Sequence, residues 1–469
     1  MTNRTLGTLL VLALAQGFSW SCAPGEEGPG EDAYRKVVDG LREAGLAGER
    51  AHAFMRRITA VGPRLTGSPG AAAAVEVSLA LMAEAGLEGV HAEPVEVGRW
   101  VRGEIAEAAV AASGDGERPA RPLAVCALGG SVPTPGGGLT APVVEVRSLA
   151  EAAALGPKAA GRIVFFNRPM DRRLTEPFAA YGGAADQRVR GASVAARNGA
   201  VAVLVRSLTF RADGHPHTGL LTYDGDAPRI PAAAVSTADA DALSALLRRE
   251  GEVRVSLRMD CRDAGRVVSA NVVGEIRGAE RPEEIVLVGG HLDSWDLGTG
   301  AHDDAAGCAA SLEALALLGD LGLRPRRTVR AVFFMDEEFG GTGGRAYATD
   351  PRRSGERHIV AAESDRGGFV PVGLAVGRLG GRAFERVSAL AGLFKPLGAA
   401  AVVPGGGGVD VAPLVAAGAV PAAVLPDAQA YFDVHHSALD VEAAVHPRAL
   451  ELQAIILAAL AYVLAQEGV

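Results

Sequence analysis

Three short apolar runs rich in β-branched residues, 284–290, 329–335 and 358–362, punctuate the C-terminal half of this 469-residue chain, with an Ala- and Leu-rich helical pattern between the first two. Runs of that length closed by glycines or acidic residues read as buried strands. Strand and helix in alternation from Arg266 onward point to a three-layer α/β/α domain with a mostly parallel, mixed sheet, closed by a helix over Arg448 to Ala465. In open sheets of that kind, ligands collect at the carboxyl ends of the strands, where the loops leave a crevice.

Each of the three runs delivers imidazole or carboxylate to that edge. The first ends in His291-Leu292-Asp293, the second in Asp336-Glu337-Glu338 and the third in Glu363-Ser364-Asp365. Between the first two lies Gly300-Ala301-His302-Asp303-Asp304, whose small residues permit close backbone approach at the start of a helix. A late segment adds Tyr431-Phe432-Asp433-Val434-His435-His436-Ser437. Any one of these residues alone is as readily a cap, a turn former or a satisfied polar group. Together, in this order, His291, Asp303, Glu338, Asp365 and His436 form a donor set suited to a borderline-soft cation such as Zn2+. Asp303 is the expected bridge, because one carboxylate can bind a separate cation with each oxygen and so hold two of them roughly 3.5–4 Å apart. Asp293 is placed to accept the free ring N–H of His291. Glu337, beside the ligand Glu338, is the expected general base, with a pKa raised by burial near like charges.

With those motifs assembled, the chain resembles the carboxypeptidase Q family of dizinc metallopeptidases. The resemblance rests on Gly290-His291-Leu292-Asp293-Ser294-Trp295-Asp296, on Asp303-Asp304, on Asp336-Glu337-Glu338, on Glu363-Ser364-Asp365 and on His435-His436-Ser437. It extends to Gly62-Pro63-Arg64-Leu65-Thr66-Gly67-Ser68 and to Gly161-Arg162-Ile163-Val164-Phe165-Phe166-Asn167-Arg168. The resemblance implies two Zn2+ per chain, His436 as the ligand with His435 lining the cleft, and a cis peptide between Asp303 and Asp304. It implies an exopeptidase acting on dipeptides or short peptides, an inserted β-rich protease-associated domain, and a possible homodimer. Asp336 and the Asp440-Val441 pair depart from the family pattern. In that family the loop matching Gly405-Gly406-Gly407-Gly408 borders the cleft, so Asp410 is a candidate to meet a substrate amino group, beside Tyr431 and His435. An aminopeptidase of the same fold is the nearest alternative. A non-catalytic receptor-like protein would have lost metal ligands, and a glutaminyl cyclase would use one zinc and carry no insert.

Composition sets the remaining bounds. With 48% hydrophobic residues the chain can bury more than one core. A net charge of −9 argues against nucleic acid, which needs a basic stripe to displace counterions. The expected organisation is a signal peptide and tether over 1–30, catalytic-domain material over 31–118, the insert over 119–262, where short Val/Ala-rich strands and Gly/Pro turns take over, and the dizinc peptidase domain over 263–469. Arg4 followed by the apolar Leu6–Ala15 run suits a secretory signal, too short to span a bilayer. Cys22, ahead of an acidic tether, resembles a lipoprotein junction, so the protein is expected to be exported, to the periplasm or outside, with a possible lipid anchor. Cys126, Cys261 and Cys308 form no disulfide framework by spacing. His215 and His217 are a further, weaker candidate metal pair.

Overall fold

The computed structural model describes residues 30–111, 120–378, 381–399 and 401–469. The Leu6–Ala15 run and Cys22 therefore lie outside the described residues.

The larger of two eight-stranded sheets runs in the order Glu88–Val101, Arg262–Ile276, Arg327–Phe334, Arg281–His291, Arg357–Glu363, Val420–Pro426, Pro371–Val376, Ala401–Pro404. Arg281–His291 is parallel to both neighbours, with His291 opposite Phe334 and Gly289 opposite Glu363, so all three acidic or imidazole termini reach one edge. Antiparallel pairs flank this parallel centre. From Glu284 to His291 every residue is buried, as is all of Arg327–Phe334, which is why these strands read as continuous apolar runs without alternation.

The strand period of two divides the packing. Val286, Val288, Ala331 and Phe333 face helices Ala306–Asp320 and Pro447–Glu467. Ile285, Leu287, Val332 and Phe334 face Tyr347, Val411 and Leu414 on the opposite side. This is the expected α/β/α sandwich. Pro447–Glu467 is buried on nearly every face. It is apolar and long enough to cross a membrane by length and composition, yet 89% of that stretch is buried, because it lies between the sheet and the outer helix Glu31–Leu46.

The second sheet runs Arg121–Leu123, Ala106–Val110, Arg254–Met259, Leu139–Val146, Ile163–Phe166, Ala202–Arg206, Ala232–Val235, Val125–Ala127. It is reached and left through a two-stranded ribbon, Glu88–Val101 against Arg262–Ile276, with Val101 opposite Arg262 at its far end. It differs from the expected insert in two respects. Ala106–Val110 already belongs to it, pairing with Arg121–Leu123 and Arg254–Met259, so it begins ahead of residue 119. Four of its strands are parallel and it carries the helices Pro177–Arg197 and Thr237–Glu250, so its texture is α/β rather than chiefly β. Alanine-rich helical stretches between short strands made that segment read as loops and strands.

One buried carboxyl ties the outer helices to the core. Glu451 of Pro447–Glu467 is 1% exposed and accepts the Ala51 N–H at 2.6 Å, and its second oxygen has no partner. Burial, with the negative charge of Glu313 nearby, pushes its pKa up to about 8. Unfolded glutamate titrates at about 4.3, so between these values the folded protein holds more protons and stability falls as pH rises. Denaturant unfolding from pH 5 to 9 should show this loss in the wild type and a flatter profile in Glu451→Gln. Parallel profiles would exclude Glu451 as the source.

Candidate metal centre

At the carboxyl edge of the larger sheet the five candidate ligands converge around one carboxylate. Asp303 Oδ1 lies 3.2 Å from His291 Nε2 and Asp303 Oδ2 lies 3.3 Å from His436 Nε2. His291 Nε2 is 3.8 Å from Asp365 Oδ1, and His436 Nε2 is 3.1 Å from Glu338 Oε2. Two donor groups thus share Asp303, one with His291 and Asp365, the other with His436 and Glu338. His435 Nε2 also stands 3.6 Å from Asp303 Oδ2, its ring stacked 3.5 Å from that of His436, so distance alone admits either imidazole. The contact with Glu338 belongs to His436.

These donors suit a divalent cation better than they suit each other. Asp303 Oδ2 and Glu338 Oε1 are buried without a hydrogen-bond partner. Buried carboxylate oxygens left bare carry a large desolvation cost unless a cation meets them.

Around this set a second ring of carboxylates accepts hydrogen bonds from backbone N–H groups. Asp293 was expected to take the His291 ring N–H on its carboxylate. Instead His291 Nδ1 lies 2.9 Å from the Asp293 carbonyl oxygen and 3.7 Å from the carboxylate. The carboxylate is occupied elsewhere, accepting from Asp336 N at 2.9 Å, Glu337 N at 3.2 Å, Glu338 N at 3.3 Å and the Thr66 hydroxyl at 2.6 Å. Asp293 therefore orients the Glu337-Glu338 turn. Asp440 accepts His302 N at 2.7 Å and Asp303 N at 3.1 Å, and Asp304 accepts His291 N at 3.1 Å and Gly307 N at 3.0 Å. The Asp303–Asp304 peptide is cis, as the resemblance implies. Gly290 and Gly307 leave room for this arrangement, since a Cβ on Gly290 would stand 2.2 Å from Asp304 Oδ2 and one on Gly307 1.7 Å from Ser364 O.

Arg64, fully buried, donates to Leu292 O at 2.7 Å and Gly300 O at 2.9 Å, as well as to Thr299 O, and so pins the loop between His291 and Asp303. Its role was not apparent in the sequence, where the Gly62-Pro63-Arg64 motif carried only the resemblance. His436 has a φ of +61°, a left-handed conformation uncommon for a side chain of this size and costing on the order of 1–3 kcal/mol. Its neighbours hold it: Thr218 N donates to His436 O at 2.9 Å, and His217 Nδ1 meets His435 O at 2.7 Å. That contact uses a ring nitrogen of His217, and no His215–His217 metal cluster forms among the described residues.

Glu337 borders the same cleft. Burial raises its pKa well above the usual carboxylate range; the His291 charge opposes this, and Asp365 and Glu338 reinforce it. For His435, burial and then the neighbouring His436 push the pKa well below that of free imidazole. Tyr431 also lines the cleft, with its hydroxyl 3.5 Å from Asp365 Oδ1.

Asp410 does not reach the cleft. It is fully buried, accepts Gly344 N at 3.2 Å, and its own N–H donates to Glu363 Oε2 at 3.0 Å. The glycine run folds over Glu363, where a Cβ on Gly408 would stand 2.5 Å from Oε2, and this carries Asp410 behind the site. In its place, Phe178, Tyr181 and Arg188 of helix Pro177–Arg197 complete the wall of a cavity of about 250 Å³. Their spacing, i, i+3 and i+10, is one helical face, a signal obscured by the reading of that segment as short strands.

A carboxyl-edge cluster of imidazoles and carboxylates on an α/β/α sandwich, with an acid beside it, defines a metallo-exopeptidase. Residues 271–461 match peptidase family M28. The chain is 37% identical to carboxypeptidase Q of Bos taurus over 92% of its own length and 88% of that protein's, and 36% identical to the Homo sapiens protein over 92% and 88%. The crystal structure of a peptidase M28 precursor from Shewanella amazonensis is similar with a TM-score of 0.89 at 36% identity, covering 94% of this chain and 98% of that one. The chain belongs to peptidase family M28, within its carboxypeptidase Q group.

If Asp303 serves both donor groups, Asp303→Ala should lose bound metal outright, measured by elemental analysis. Asp293→Asn should weaken metal binding by roughly tenfold to a hundredfold in chelator competition, through the displaced Glu337-Glu338 turn. Wild-type metal content in Asp303→Ala would exclude the shared-ligand arrangement.

Proposed function

We propose that this peptidase hydrolyses dipeptides or short peptides from one end with two Zn2+ ions, held by His291, Asp303 and Asp365 on one side and by Asp303, Glu338 and His436 on the other. The observation that carries this reading is the division of Asp303, one oxygen towards His291 and the other towards His436. When bound, such a pair of cations makes water a competent nucleophile near neutral pH and polarises the scissile carbonyl.

Glu337 acts as general base and then as general acid, taking a proton from the attacking water and returning it to the leaving amine. Its raised pKa suits both halves of that task. Asp293 keeps Glu337 in place through the backbone. The unit built on the second sheet serves as the inserted protease-associated module, with its helix Pro177–Arg197 closing the cavity. Export of the protein is supported by the Leu6–Ala15 run, and lipid attachment at Cys22 by the acidic tether after it.

Glu337→Gln should keep its zinc and lose turnover on dipeptides by about 10²- to 10⁴-fold. Zinc stoichiometry and kcat measured on the same preparation test this. A variant with intact metal and wild-type kcat would remove Glu337 from the chemistry.

A further inference from the structure

The two candidate imidazole ligands take their outer hydrogen bonds from different parts of the molecule. His291 Nδ1 lies 2.9 Å from the Asp293 carbonyl oxygen, two positions along the same loop. His436 Nδ1 lies 3.3 Å from the Thr218 carbonyl oxygen, in the second unit and 218 positions away. A carbonyl oxygen only accepts, so in both rings Nδ1 carries a proton and Nε2, the nitrogen beside Asp303, is left to a cation. A partner on the far nitrogen fixes the tautomer and the aim of a ligating histidine, and its loss lowers metal affinity.

The second unit grips this segment at three points. Besides accepting from the ring, Thr218 donates its N–H to His436 O at 2.9 Å, and His217 Nδ1 donates to His435 O at 2.7 Å. Together these contacts hold the left-handed backbone of His436. The gripping loop is itself fastened to strand ends. His217 N donates to Ser207 Oγ at 2.8 Å, just past Ala202–Arg206, and Thr218 Oγ1 donates to Ala127 O at 3.0 Å, where Val125–Ala127 ends. Arg102 spans the junction, donating to Thr218 Oγ1 at 3.2 Å and to Asp296 Oδ1 at 2.5 Å. On the other side of the site, the supports of His291 are Asp293 and Asp304, both on loops of the larger sheet.

We infer that His217 and Thr218 are positioning residues for the His436–Glu338 donor group, so that one of the two zinc sites is completed by the second unit and the other is not. This rests on the two-zinc reading proposed above and adds an inequality between its sites. Neither residue belongs to the donor set, and both are buried, His217 at 2% and Thr218 at 1% exposure. They act through the aim of the His436 ring and through the backbone that carries it. The Asp303, His291 and Asp365 group needs no contact from across the junction to keep its geometry.

The test is zinc affinity of the full-length protein, measured by chelator competition with elemental analysis of what stays bound. His217→Ala, which deletes the donor to His435 O, should weaken one zinc by about tenfold to a hundredfold and leave the other within about twofold of the wild type. His217→Asn, whose side-chain amide can donate from the place of Nδ1, should restore most of that loss. In a Glu338→Ala background the remaining zinc is the one held by His291, Asp303 and Asp365, and adding His217→Ala should leave its affinity unchanged. Thr218→Val keeps the shape of the loop but loses its tie to Ala127 O. It should weaken the same zinc severalfold, and it serves if the His217→Ala protein does not fold. Equal weakening of both zinc ions, wild-type affinity in both His217→Ala and Thr218→Val, or a further loss in the Glu338→Ala background would overturn the assignment while leaving the peptidase reading intact. A protein that shows the unequal losses yet hydrolyses no dipeptide as wild type would do the reverse.

Discussion

Crowding of negative charge at one sheet edge is the constraint on which the rest of this structure depends. Asp303, Glu337, Glu338 and Asp365 meet in a space largely closed to water, where each added carboxylate raises the cost of ionising the others. The fold meets that cost in two ways. An outer ring of Asp293, Asp304, Asp440 and Glu363 accepts backbone N–H donors, which fixes the loops, while Glu363 Oε1 is left without a partner. The inner ring keeps oxygens without hydrogen-bond partners, Asp303 Oδ2 and Glu338 Oε1 among them, on carboxylates that meet the imidazole of His436. What sets the inner ring apart is that its carboxylates meet the imidazoles of His291 and His436, which marks it as the candidate ligand set.

The two sheets contribute different things to the site. The larger one supplies every candidate ligand from strand ends or from loops braced against them, with Arg64 buried beneath. From the second unit come no candidate ligands. It contributes helix Pro177–Arg197, whose one face lines the cavity, and the 217–219 loop, which holds the backbone of His435 and His436. The candidate ligands and much of the cavity wall thus sit on separate scaffolds joined by a two-stranded ribbon, and the cavity exists only where they meet.

Legibility in the sequence followed the range of the interaction involved. The central strands could be read because a strand covered on both faces must be apolar throughout, and their termini were polar in a way that burial alone does not explain. Asp293 was placed in the right loop but with the wrong contact. Whether its carboxylate or its carbonyl meets the His291 ring depends on where the Asp336-Glu337-Glu338 turn falls, a partner more than forty positions away. Asp410 was misjudged for a related reason: a glycine run implies freedom of the backbone but not its destination, and here close packing over Glu363 decided it. The early start of the second sheet at Ala106 was hidden because a five-residue strand with small side chains carries little periodic signal.

By itself the sequence determined the α/β alternation, the order of the polar strand ends and the identity of the residues able to hold metal, since these follow from local periodicity and side-chain chemistry. The tertiary structure alone decided which oxygens stay bare, that Asp293 serves the backbone, that Asp410 is sealed away and that the ring of His436 meets a carbonyl of the second unit. Those outcomes are set by contacts between residues far apart in the chain, and hydrogen bonding and burial at such contacts have no signature in the spacing of residues along it.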